Sequence, residues 1–102
     1  MPQTASSQPR LGILGRQPAM LQAALAQARA LGLVAQGSTD DDTVLGWITT
    51  RAIDALIIGG GVEAATRERL EPACRAAGVR VVPVASPAML GEALRALAQR
   101  PS

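Results

Sequence analysis

Histidine, lysine, tyrosine and phenylalanine are all missing from these 102 residues, and cysteine and tryptophan occur once each. Without His, Lys or Tyr the chain lacks the usual general bases and proton shuttles. Schiff-base chemistry, a P-loop lysine and a Ser-His-Asp triad are excluded. A zinc centre lacks ligands, because Cys74 alone cannot supply three or four donors. One cysteine also makes no disulfide framework. Its apolar spacing within a helical pattern marks it as a buried thiol rather than a nucleophile. Asp54, Glu63, Glu68, Glu71, Glu92 and the hydroxyl residues remain. Asp54 falls at the amino end of a strand, the wrong end for a site in a parallel sheet. The expectation is a protein that is not an enzyme, with no metal and no cofactor.

Basic charge is carried by arginine alone. Ten Arg stand against eight acidic residues, for a net charge of +2. Arg16, Arg29, Arg51, Arg67, Arg80 and Arg95 are spread along the chain, and aromatic stacking partners are lacking. Nucleic-acid binders concentrate their basic charge and often interleave aromatics, so no nucleic acid is expected. Met1 to Arg10 is polar and rich in Pro and Ser, without the apolar stretch of a signal peptide. No apolar run approaches a membrane span. These features lead to the expectation of a reduced, cytoplasmic protein with no membrane association.

What is present suits a packed core. Apolar residues make up 48% of the chain and charged residues 18%, within the range of ordinary globular domains. The filling is Leu, Val, Ile and much Ala. Small side chains bring helices close to a sheet but bury little area each, at roughly 25 cal/mol per Å². Modest stability, or added burial through self-association, is expected.

The chain alternates strand and helix patterns. Residues 1–10 read as a flexible tail, and 11–99 as one domain. Leu11 to Leu14 is a strand ended by Gly15-Arg16. Gln17-Pro18 opens a helix, with proline where its missing N–H costs nothing. Leu21, Ala24, Leu25, Ala28 and Leu31 give that helix one apolar face. Leu33 to Gln36 is the second strand, and Gly37-Ser38-Thr39 turns the chain. Ser38 or Thr39 is positioned to cap the next helix, with Asp40, Asp41 and Asp42 in its first turn, where carboxylates complement the helix dipole. Three consecutive helical residues point in three directions, which disfavours a metal site. Val44, Leu45, Ile48 and Ala52 form the buried face, with Trp47 packed beside it.

Ile53 to Ile58 is a strand whose run of Ala55 to Ile58 does not alternate with polar residues, as expected for a strand covered on both faces. It runs into Gly59-Gly60-Gly61. Val62 to Ala77 is helical and closed by Gly78. Pro72 is expected to kink that helix or split it in two. Val79 to Ala85 is the fourth strand, and Pro83, which cannot donate to a ladder, places it at a sheet edge. Ser86-Pro87 opens a last amphipathic helix with Leu90, Ala93, Leu94, Leu97 and Ala98 inward. This β-α alternation implies a four-stranded parallel sheet of order 2-1-3-4 with helices on both faces, a shortened flavodoxin-like or Rossmann-like α/β fold.

In such sheets ligands sit at the carboxyl ends of the strands, where strand order reverses. The residues there are Gly15, Arg16 and Gln17 after strand one and Gly59, Gly60, Gly61 and Val62 after strand three, flanked by Ser38 and Ser86. Glycines let backbone N–H groups approach an anion at a helix N-terminus, and Arg16 adds a charged fork. A small anionic ligand is one expectation, and glycines that merely provide positive φ and a tight turn are the other. Neither turn has the G-x-G-x-x-G fingerprint, and Gln36, not an acid, ends strand two.

At Ile53 to Gly59 the sequence resembles the central strand of response-regulator receiver domains. Asp54 matches the Asp that opens this strand in those domains, and Ser86 matches the small hydroxyl residue after the fourth. The receiver's phosphoacceptor Asp is replaced by Gly59, its acidic pair after strand one by Gly15-Arg16, and its lysine is lacking. The resemblance implies a receiver-like domain that is not phosphorylatable and acts through contacts with a protein partner or a second copy of itself. The alternative is a nucleotide- or dinucleotide-binding module built on the two glycine turns.

Overall fold

The computed structural model describes residues 10–84 and 87–98. Its elements are β1 (Arg10–Leu14), α1 (Pro18–Ala30), β2 (Val34–Ser38), α2 (Asp41–Thr49), β3 (Ala55–Gly59), α3 (Ala64–Ala77), β4 (Arg80–Val84) and α4 (Pro87–Ala98). The strands pair in parallel in the order β2-β1-β3-β4, the order the alternation predicts.

β3 explains its own sequence. Ala55 and Ile57 point into one core with Leu11, Ile13, Leu25 and Leu94. Leu56 and Ile58 point into another with Leu14, Val44, Ile48, Leu70 and Cys74. A strand packed on both faces has no solvent positions to alternate with. α1 and α4 cover the first face, and α2 and α3 the second. Trp47 packs against the second core. Burial pushes the Cys74 thiol up from its ordinary value, and the Glu71 carboxylate adds to the shift, so the thiolate is disfavoured. Pro83 lies exposed in the edge strand β4, opposite Ile58.

Several boundaries differ from expectation. Arg10 belongs to β1 rather than to a tail. Its backbone N–H donates to Asp54 Oδ2 at 2.7 Å, and its guanidinium to both Asp54 oxygens at 3.2 Å. This ties the amino ends of β1 and β3 together. Residues 1–9 of the expected tail, together with Ser86, lie outside the described residues. β2 continues through Gly37 and Ser38, because Ile13 and Leu14 of β1 extend far enough to pair with them. The turn therefore starts later than Gly37.

The helix cap moves with it. Asp40, not Ser38 or Thr39, is the N-cap of α2 and accepts from the Thr43 N–H at 2.9 Å and the Thr43 hydroxyl at 2.8 Å. Ser38 Oγ instead accepts from the Asp40 N–H at 3.0 Å. α3 is one continuous helix with Pro72 inside it, not two pieces. Thr66, Leu70 and Cys74 are buried along one stripe that runs past the proline. Pro72 removes the bond to the Glu68 carbonyl, and Glu68 is an exposed residue. Gly78, at φ 76°, ends α3 in the left-handed region that glycine accepts most readily.

The Asp40 cap yields a pH prediction. Its two bonds from Thr43, the hydroxyl's foremost, hold the Asp40 carboxyl below its ordinary value. A carboxyl depressed by folding stabilises above its unfolded pKa, and that contribution is lost as pH falls through the folded value. Asp40→Ala is therefore expected to lower Tm at pH 7. In a pH series of melting curves the gap from wild type narrows below about pH 4.

Candidate functional site

The parallel sheet brings the ends of all four strands to one rim. There β1 passes through Gly15-Arg16-Gln17 into α1, and β3 passes through Gly60-Gly61-Val62 towards α3. Between them, on the α1 and α4 side, lies a cleft of about 350 Å³. Its walls are apolar: Ile13 and Ile57 from the strands, Met20, Leu21 and Ala24 from α1, and Leu90 from α4. Leu14 and Val84 also line it, and Gly15, Arg16, Gln17, Gly59, Gly60 and Gly61 complete the lining among the described residues.

Six of the nine residues expected from the sequence thus meet in one place. The others do not. Val62 is buried in the α2 and α3 core, since its N–H closes onto the Gly59 carbonyl and turns the side chain under the sheet. Ser38 ends β2 and is engaged with the start of α2. Ser86 is outside the described residues.

The glycines of the rim are not explained by backbone geometry. Positive φ among the described glycines occurs at Gly32 and Gly78, away from the cleft. A Cβ built on Gly15 or Gly61 would meet nothing within 4 Å. Neither a tight left-handed turn nor a packed neighbour requires glycine at these two positions. Gly60 and Gly61 are exposed, and no hydrogen bond within the described residues engages them. Both residues line the cleft. Gln17, the N-cap of α1, makes no side-chain capping bond, and Pro18 follows it.

Arg16 is held in a network. Its Nε donates to Glu63 Oε1 at 3.0 Å, its Nη1 to the Thr39 carbonyl at 2.8 Å and its Nη2 to Thr66 Oγ1 at 3.0 Å. Nη2 also lies 2.8 Å from Glu63 Oε1. It stands 2.7 Å from Asp41 Oδ1, an ion pair without hydrogen-bond alignment. Thr66 Oγ1 in turn donates to Asp41 Oδ2 at 3.0 Å. Glu63 and Asp41 together keep the Arg16 guanidinium more firmly charged than usual. The Glu63 carboxyl is pulled down by its own backbone N–H and then by Arg16. This fork is therefore already occupied by carboxylates, where the sequence suggested one open to an anion. The three aspartates diverge as expected: Asp40 caps, Asp41 faces Arg16, and Asp42 pairs with Arg69 at 2.6 Å.

Sequence reasoning missed Asp41, Glu63 and Thr66 as partners of Arg16, and Arg67 as a second support. Arg67 Nη2 donates to the Gly59 carbonyl at 3.3 Å from the α3 side, and its Nε is buried without a partner. The topology could have indicated the first three. Helices that follow parallel strands all begin on one rim, so the starts of α2 and α3 must lie near the turn after β1.

No protein-family model matches the sequence, and neither does any curated protein. Among solved structures the chain is similar to a de novo designed Rossmann 2x3 fold protein determined by solution NMR. The two are 18% identical with a TM-score of 0.64, over 84% of this chain and 68% of the designed one. The likeness establishes a Rossmann-like α/β fold and nothing about a ligand.

Proposed function

We infer that this domain is a non-catalytic binding module that takes a ligand of the nucleoside and nucleotide class in the cleft between β1, β3, α1 and α4. The observation that carries the reading is the pair of rim glycines, Gly15 and Gly61, whose missing side chains leave open space in front of a preformed apolar cleft. Its volume of about 350 Å³ lies at the small end of the range for ligand pockets. Its place at the strand-order switch is where open α/β sheets bind ligands. A thermal-shift screen against nucleosides, nucleotides and dinucleotides tests it. A true ligand at roughly 100 times its Kd adds about 2.7 kcal/mol. Gly15→Leu and Gly61→Leu are expected to fold, because a Cβ there meets nothing, and to abolish the shift by filling the mouth. If none of these compounds stabilises the protein, this reading fails.

A second reading, action through contacts with a partner or a second copy, rests on Met20 and Met89. Both are about half exposed, near the start of α1 and of α4. Adaptable methionine side chains suit a protein surface. It predicts concentration-dependent mass in light scattering that Met20→Ser and Met89→Ser reduce.

A further inference from the structure

We propose that the cleft selects an uncharged heterocyclic ligand, a nucleoside rather than its phosphate. This deepens the reading of the cleft as a ligand site and rests on it. The walls supplied by Leu21 and Ala24 of α1 and Leu90 of α4 are apolar, which suits the apolar faces of a ring. Gly60 and Gly61 line the cleft too, are exposed, and are engaged by no hydrogen bond among the described residues, which suits the polar edge of such a ring. Among the described residues the lining holds no free positive charge: Arg16 is its one charged residue, and it has two carboxylate partners, Asp41 and Glu63.

The local balance at Arg16 is therefore one cation to two anions. Glu63, whose side chain is 65% exposed, stands 2.8 Å from the guanidinium, so a phosphate that reaches Arg16 comes close to this carboxylate as well. To engage Arg16 it must also displace bonds to Glu63, Thr39 and Thr66. Like charges at close range oppose binding, and the bonds lost offset the bonds gained. The first residue of α1 is Pro18, which has no N–H to give an anion. Arg67 is a second cation near the rim, but it reaches Gly59 from the α3 side and is not part of the cleft lining.

Calorimetric titration with adenosine, AMP, ATP and NAD tests the proposal in wild type and in Glu63→Ala. Glu63 makes no side-chain capping bond to α3, so the variant is expected to fold, and its melting curve checks this. Wild type is expected to bind adenosine more tightly than AMP, with ATP and NAD weaker still. Glu63→Ala should improve AMP affinity by about tenfold, the worth of one charge-assisted hydrogen bond, and leave adenosine unchanged. Wild-type preference for AMP over adenosine overturns the proposal but keeps the cleft as a nucleotide site. An unchanged ratio in Glu63→Ala also overturns it. Absence of binding by all four compounds overturns both the proposal and the functional reading beneath it.

Discussion

Leu56→Ala is expected to remove about 2–5 kcal/mol of stability, enough to threaten folding of a domain whose total is roughly 5–15 kcal/mol. Leu56 is fully buried at the centre of β3, which pairs with β1 on one side and β4 on the other, and packs into the core with Leu14, Val44, Ile48 and Leu70. The loss has two sources: apolar area returned to water, and a cavity that neighbours only partly fill. Here collapse is resisted, because β3 is fixed on both sides by strand pairing. Each kcal/mol shifts Tm by roughly 4–8 °C in a domain of this size. Thermal melts of Leu56→Ala beside Val34→Ala make the comparison. Val34 is 58% exposed on the opposite edge strand, and its truncation is expected to stay within about 0.5 kcal/mol. Equal effects at the two positions would contradict the assigned core.

Gly37→Val is expected to cost about 1–3 kcal/mol by overpacking, and to impair the cleft at the same time. A Cβ at Gly37 would stand 2.7 Å from Leu21 Cδ1, 3.2 Å from Leu21 Cγ and 3.3 Å from the Ile13 carbonyl. The leucine can rotate away, but the carbonyl belongs to the paired strand β1 and cannot. Leu21 is a wall of the cleft, so the rotation that relieves the clash moves it from its place in that wall. Urea unfolding should show the lower midpoint, and ligand titration the weaker binding. Gly46→Ala is the contrast: a Cβ there meets nothing within 4 Å. In the middle of α2 it should stabilise by about 0.5–1 kcal/mol. Destabilisation at both glycines would show that the space around them is misread.

Strand order could be read from the sequence because two independent signals agree. The alternation of elements fixes parallel crossovers, and Pro83 assigns β4 to an edge. The central strand was legible because Ala55 to Ile58 has no polar position at all. The α2 cap was not, because Ser38, Thr39, Asp40, Asp41 and Asp42 are all good capping residues in a row. Only the pairing of β2 as far as Leu14 and Ser38 decides which one stands at the helix start. Pro72 left a kink or a split open, and the split does not occur. The buried stripe of Thr66, Leu70 and Cys74 favours one helix. At the site, the place was legible and the charge was not. Arg16 meets Asp41 and Glu63 across separations of 25 and 47 residues, which one-dimensional spacing does not reveal.

The central place of β1 bears on how the protein is made. A ribosome delivers this strand before the other three of the sheet, yet one of its two neighbours is β3, and Leu11 waits for Ala55, 44 residues later in the chain. At about 5–20 residues per second that interval is roughly 2–9 s. During it, only β2 can pair with β1, leaving the other edge of the growing sheet open. A permuted chain beginning at β3 would emit the same strands with that delay removed from β1, and its yield on translation in the absence of chaperones would report what the delay costs.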